Sequence, residues 1–500
     1  MALRRSPALA RNAAMAVAQV VVSGVVLFLL YRYLLQTIGP EQIGIWAIVL
    51  ASASASRISE LGLTGSAVKF TARHLARGEP GAASQVIQTT AVTIGVVLAC
   101  VLALGYGVLV WLVGKLIPAA NVPGALAILP HALAAVWIGS VAGVFLSGLD
   151  GCQRVDLRAL AAMAASLVLL GLCWSLVPRH GLAGLAWAQI GQGAVMLLAS
   201  WSLLRRELPA LPLLPLKWRY ALFREMFGYG VNFQLIAIFA LLFEPVTKAL
   251  MAKFGGLSST AYYEMANRMV MQFRALLVSA NQVIVPRVAS LQENSPEAIR
   301  GVYLDSYRVV FFLGLPLYAL LAAAAPLASE LWIGRYEQGF VAYSVLLAAG
   351  FGLNTLSAPA YFVNLGIGSL RWVTLGHLVI GILNAGLGYV LGAAYGGSGV
   401  VTGYVLALAA GSALIVAGFH RERRLSHSVL LPSESAKLFI ACCVALPIGW
   451  GAFHFPGVPE TGLARAAWTL AICFAVIAPV FWIHPLRSKI GGRLAAALGR

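Results

Sequence analysis

The sequence predicts an all-α polytopic membrane protein of about 14 transmembrane helices, and three observations carry that expectation. Hydrophobic residues make up 60% of the 500 and charged residues only 10%, whereas an ordinary soluble domain carries about 25% charge. The apolar runs last roughly 20 residues, the length that crosses a ~30 Å hydrocarbon layer as a helix. They lack the two-residue alternation that membrane strands of ~10 residues show. Lipid offers the backbone no hydrogen-bond partners, so each run must satisfy its own amides, and a helix does this locally.

In chain order the spans are expected at 13–35, 43–67, 86–113, 126–148, 159–177, 182–204, 226–250, 259–287, 307–328, 342–365, 373–395, 400–419, 438–455 and 465–484. The first run is long and no small-residue cleavage site follows it, so no cleavable signal peptide is expected. Five of the six cysteines lie inside these runs, Cys152 sits in a short loop, and their spacing is not that of a metal site.

Orientation follows from the basic residues, which concentrate in cytoplasmic loops near helix ends. With both termini cytoplasmic, 25 of the 35 Lys and Arg residues fall inside and 6 outside, and Arg57, Lys248, Arg268 and Arg274 lie within spans. This bias accounts for the net charge of +18 without a nucleic-acid partner. The basic runs at 421–424 and 487–493 are read as anchors beside anionic membrane lipid.

The outside loops are all short, which disfavours an embedded glycan polymerase or ligase that would need a polar domain for its acid, base and acceptor sites. The longest inside loop, 205–225, is Pro- and Leu-rich and is read as a bridge lying along the interface. It separates two halves with a common pattern. Gly184 opens a helix that closes on Arg205-Arg206-Glu207, and Gly399 opens one that closes on His420-Arg421-Glu422, both at an offset of 215 residues. The expected organisation is a six-helix half at 1–204, the linker at 205–225, a second six-helix half at 226–419, and a two-helix extension at 420–500. Six is an even number, so the two pseudo-repeats share an orientation, as in carriers that work by alternating access.

The run Arg32-Tyr-Leu-Leu-Gln-Thr-Ile-Gly39-Pro40-Glu41-Gln-Ile-Gly44-Ile-Trp46, followed by Glu60-Leu-Gly62 and Ala72-Arg73, resembles the N-terminal signature of bacterial polysaccharide transporters. These are the O-antigen and exopolysaccharide flippases of the multidrug, oligosaccharidyl-lipid and polysaccharide exporter superfamily. Ile38 stands where that pattern has Leu, and Glu60 where it has Asp. The resemblance implies a flippase in the bacterial inner membrane that moves a polyprenyl-diphosphate-linked oligosaccharide to the outer leaflet. A polysaccharide polymerase and glycosyltransferases would act beside it. It implies no catalysis and no cofactor beyond coupling to a proton or sodium gradient. Exporters of drugs or of peptidoglycan precursors in the same superfamily are the alternative.

Independently of that resemblance, ionisable groups inside spans are costly and tend to face protein or a water-filled cavity. In the eighth span Glu264, Asn267, Arg268, Arg274 and Asn281 share an arc of about 140°. In the seventh, Gln234, Glu244 and Lys248 share a face beside Pro245, and in the second Arg57 and Glu60 are one turn apart above Thr64. The first contributes Asn12, Gln19 and Ser23 on one stripe. Together they are expected to line a cavity, with Arg57, Lys248, Arg268, Arg274, Asn267, Asn281 and Gln19 as substrate-binding candidates and Glu60, Glu244 and Glu264 as ion-coupling candidates. The competing reading is that Glu244 with Lys248 and Glu264 with Arg268 neutralise each other one helical turn apart and that Arg57 snorkels. His131 and His377 are read as packing histidines, and Asn354, Asn364, Asn384, Gln189 and Gln192 as bonding across helices. Four bases against three acids suit an anionic diphosphate, which an Arg fork holds through two oxygens.

Overall fold

The computed structural model describes residues 7–60, 62–282, 284–454 and 462–488, and among these all regular secondary structure is helical. Nine helical stretches among them are long and apolar enough to cross a membrane. Two of the nine run 53 residues, or about 80 Å, enough for two passages each. The chain is therefore a polytopic α-helical membrane protein. Its contacts gather into two units, Met1–Lys253 and Phe254–Arg500.

The first unit holds α1 (Pro7–Thr37), α2 (Gly39–Ser54), α3 (Leu63–Ala76), α4 (Pro80–Leu116), α5 (Val122–Gly151), α6 (Val155–Glu207) and nearly all of α7 (Tyr220–Phe254). α1 packs on α6 and α6 on α5, while α3, α4 and α5 close around Leu63, Phe70, Ile87, Phe145 and Leu204. In the turn between α3 and α4, His74 Nδ1 and Glu79 Oε2 lie 2.7 Å apart. That bond holds the Glu79 carboxyl below its ordinary range.

The second unit holds α8 (Gly256–Gln282), α9 (Ile284–Asn294), α10 (Ala298–Ala323), α11 (Ala325–Ile333), α12 (Gln338–Leu356), α13 (Ala358–Ile367), α14 (Arg371–Arg423), α15 (Ala436–His454) and α16 (Gly462–Ile483). α12 is bordered by α8, α10 and α14, and the α15–α16 pair packs on α10 through Phe312, Cys442, Cys473 and Ile477. Residue 455, which ends one predicted span, and 489–493 of the basic C-terminal run lie outside the described residues.

The predicted spans fall on these helices, but three are broken where the sequence reading has them continuous. After α2 the chain tightens into a 3-10 turn, Ala55–Glu60, and restarts at Gly62, whose φ of 65° is left-handed. The spans at 307–328 and 342–365 divide at Ala324 and Ser357, each ahead of a proline, Pro326 and Pro359, in the first turn of the new helix. A proline has no N–H to give the preceding turn, so it is tolerated at a helix start and interrupts a helix interior.

The same devices recur in the two units at one offset. Inside α6 the chain folds back at Gly181 (φ 54°, ψ −127°) and inside α14 at Gly396 (φ 62°, ψ −145°), 215 residues on. Only glycine takes that backbone conformation readily. A Cβ on Gly184 would stand 2.5 Å from the Leu176 carbonyl oxygen, and one on Gly399 closer still to that of Leu391, again 215 residues apart at both ends. The legs of each hairpin thus touch backbone to backbone. Gln153 (φ 59°) occupies the left-handed position that Gly368 (φ 85°) holds in the second unit. For a side chain this is strained by about 1–2 kcal/mol, and the Asn12 amide, which donates to the Gln153 carbonyl at 3.0 Å, helps to hold it.

Candidate functional site

In the first unit the break after α2 sets Arg57 and Glu60 on one tight turn. Arg57 Nε donates to Glu60 Oε1 at 2.7 Å, and the Ser140 hydroxyl of α5 donates to the same oxygen at 2.7 Å. Ser140 is fully buried and Arg57 is exposed. Two donors on one oxygen fix the carboxylate in a single orientation at the edge of α5. Ser140 is absent from the sequence-derived candidates, because a lone hydroxyl in an apolar span carries no charge signal. In α7, Lys248 Nζ lies 2.6 Å from Glu244 Oε1 one turn away, beside Pro245. Lys248 is buried and Glu244 exposed.

On α1, Gln19 and Ser23 are half-buried, and Asn12 is committed to structure. Its oxygen accepts from the Asp156 amide at 3.2 Å while its nitrogen bonds Gln153, so it ties α1 to the α5–α6 turn. Asp156 also receives Arg11 at 3.1 Å and Arg154 at 3.0 Å, and Arg154 reaches Glu207 at the far end of α6. The side chain of Gln234 lies outside the described residues.

In the second unit the polar stripe of α8 turns inward. Glu264 and Asn267 are buried, and Arg268 Nε donates to Glu264 Oε1 at 2.5 Å. Asn281 is buried with its amide donating to the Leu277 carbonyl and its oxygen accepting from Ser306 of α10, each at 2.8 Å. It bolts α8 to α10, and neither its nitrogen nor its oxygen faces an open space without a bond.

Arg274 stands apart from these pairs. Its Nη2 donates to Asn354 Oδ1 of α12 at 2.9 Å, and its guanidinium lies 5.5 Å from the Phe351 ring centroid. Asn354 in turn donates to Ser412 of α14 at 2.9 Å, which makes it the cross-helix amide that the sequence suggests. Arg274 Nε is buried and makes no hydrogen bond. His377 packs against Tyr361 with ring centroids 5.9 Å apart. Among the described residues no carboxylate pairs with Arg274, so a neutral amide, an aromatic face and half-burial hold a positive charge that nothing cancels. Among the described residues no set of His, Cys, Asp and Glu side chains is arranged to hold a metal ion.

The comparisons with known proteins agree with this architecture. Solved structures with similar folds include the lipid II flippase MurJ in an inward closed conformation (TM-score 0.69, 12% identity, 96% of this chain and 99% of that one). A multidrug resistance MATE family transporter of the MOP superfamily, inward-facing, follows at TM-score 0.64 and 17% identity over 82% of this chain and 96% of that one. A MOP superfamily transporter from Pyrococcus furiosus, in which reverse polarity of the binding pocket suggests a different function, gives 0.58 and 15% over 83% and 96%. Among proteins of curated function none matches the sequence significantly. At these identities the likeness is one of fold. The sequence profile described as polysaccharide biosynthesis protein matches residues 38–337, more than half of the 500, and the chain therefore belongs to the polysaccharide biosynthesis protein family.

Proposed function

We propose that this chain carries a polyprenyl-diphosphate-linked oligosaccharide from the cytoplasmic to the outer leaflet of the bacterial inner membrane, for assembly of a surface polysaccharide such as O-antigen or exopolysaccharide. The observation that carries the reading is Arg274, a half-buried guanidinium held by Asn354 and Phe351, with an unused Nε. An Arg fork with neutral partners suits a diphosphate, since two N–H groups can meet two oxygens at once. The membership of the family supports the reading.

An apolar groove of about 520 Å³ in the second unit supports a lipid-tailed substrate. Phe273 of α8, Leu321 and Leu327 of α10 and α11, and Leu470 and Phe474 of α16 line it, and its walls can take a prenyl chain. The chain acts as a carrier and not as an enzyme. Its repeat halves, 1–204 and 226–419, alternate access across the linker 205–225, and the extension 420–500 adds lipid-facing surface. Both termini are cytoplasmic. Gln19, Arg57 and Lys248 of the first unit and Asn267, Arg268 and Asn281 of the second are the further substrate-binding candidates, while Glu60, Glu244 or Glu264 exchanges the coupling proton or sodium ion. A polymerase and glycosyltransferases consume and supply the substrate.

The likeness to the lipid II flippase makes a peptidoglycan precursor the competing cargo. The deciding experiment is to remove the gene and identify which lipid-linked molecule accumulates on the cytoplasmic leaflet. A lipid-linked polysaccharide repeat is expected, cleared by the wild-type chain and not by Arg274→Ala. Accumulation of a peptidoglycan precursor, or of no lipid-linked glycan, would refute the assignment.

A further inference from the structure

The segment between α6 and α7 is a strap fastened to α4. Ser84 Oγ donates to the Ala210 carbonyl at 2.9 Å, the Lys217 amide donates to Gln88 Oε1 at 3.2 Å, and Trp218 Nε1 donates to Thr93 Oγ1 at 3.0 Å. Leu208 and Leu211 are buried beneath it. Held in this way, the strap still turns Leu213, Leu214, Leu216, Trp218 and Tyr220 outward, each between 47% and 73% exposed. Lys217, Arg219 and Arg224 are exposed on the same stretch. The first acid to follow, Glu225, is taken by Arg73 at 2.8 Å.

Pro215 and Leu216 of the strap also form one end of an apolar groove of about 500 Å³ between α4 and α5. Along α4 the groove runs from Ala91 to Cys100, about 14 Å at the helical rise and close to half the ~30 Å hydrocarbon thickness. It is therefore about as long as one leaflet is deep, with the strap at one end. The indole N–H of Trp137, which lines the groove, is used on the Gly95 carbonyl at 2.8 Å, leaving a carbon surface.

An apolar trough of that length with cations at a single end has the chemistry of a phospholipid site. We propose that an anionic phospholipid of the cytoplasmic leaflet binds here, with one acyl chain in the α4–α5 groove and its phosphate against Lys217 and Arg219. The exposed leucines, Trp218 and Tyr220 lie in the interface beside it. The site is separate from Arg274 and does not depend on which molecule is transported.

The full chain, purified and presented with phosphatidylglycerol or phosphatidylcholine, tests this by native mass spectrometry of retained lipid. Wild type is expected to retain phosphatidylglycerol in preference. The double variant Lys217→Gln, Arg219→Gln changes only exposed side chains, and it should weaken that binding about thirtyfold while the melting temperature holds. Gly95→Leu, whose Cβ has no atom closer than 3.9 Å, should fill the groove and lower retention of both lipids. Equal retention of the two lipids by wild type, or unchanged retention in the charge variant, would overturn the proposal. So would displacement of phosphatidylglycerol by stoichiometric undecaprenyl phosphate, since the groove would then belong to the cargo.

Discussion

Arg274 on α8 and Asn354 on α12 are joined by a 2.9 Å hydrogen bond in which the amide supplies the only acceptor seen for the guanidinium among the described residues. Asn354 is itself oriented by its bond to Ser412 on α14, so three helices fix one cation without neutralising it. If that residual charge serves an anionic cargo, giving it a permanent counter-ion should silence it. Asn354→Asp is expected to reach the membrane at normal level and to lower export about tenfold or more, with thermal stability unchanged or raised. Full export by Asn354→Asp would mean that the free charge is not used.

The hairpins at Gly181 and Gly396 yield a second expectation. Gly184→Ala and Gly399→Ala each press a methyl into a facing carbonyl, a form of overpacking that destabilises by about 1–3 kcal/mol. The second variant should suffer more, because its contact is shorter. Gly143→Ala on α5 has no atom within 4 Å of the new carbon and serves as the neutral control. Melting of the three purified variants checks the order, and equal midpoints would contradict the close approach.

Coupling should pass through a carboxylate within the spans. Among Glu60→Gln, Glu244→Gln and Glu264→Gln, at least one is expected to abolish the dependence of transport on a proton or sodium gradient in vesicles. If Glu60 is the group, Ser140→Ala should shift the pH profile of transport without removing it, since Ser140 acts by orienting the carboxylate. Gradient-driven transport that survives all three substitutions would place coupling elsewhere.

Topology can be read by cysteine labelling in a background without the exposed natural thiols at Cys100 and Cys443. Ser398, Ser295 and Ser433 are all exposed. A cysteine at 398 should label from outside intact cells, and those at 295 and 433 only after permeabilisation. The reverse pattern would invert the orientation taken from the basic residues.

The positions of the spans and the hairpin turns are legible in the sequence because both rest on local properties. Apolar runs of helix length mark the spans, and the glycine spacing at 184 and 399 marks a backbone contact that no other residue fits. The breaks at Gly62, Ala324 and Ser357 are less legible, since a hydropathy window averages over a kink and a proline alone does not say which side of it the helix ends. The partners of the charged residues divide in the same way. Glu244 with Lys248 and Glu264 with Arg268 are one turn apart and can be seen in the sequence. Arg274 finds Asn354 across 80 residues of chain, and Ser140 finds Glu60 across the same separation. Helical phase groups Asn12 with Gln19, which gives a face and not the neighbour opposite it; the neighbour is the α5–α6 turn.

The most direct test is the activity of Arg274 variants at equal membrane level, measured as export of the lipid-linked glycan in cells lacking the natural copy. Arg274→Lys keeps the charge but loses the fork, and Arg274→Ala loses both. Both proteins should be present at near-normal amount, with export strongly reduced in Arg274→Lys and further reduced in Arg274→Ala. Full export by Arg274→Ala would contradict a substrate role for the guanidinium, and loss of the protein from the membrane in both variants would show that Arg274 serves the fold instead.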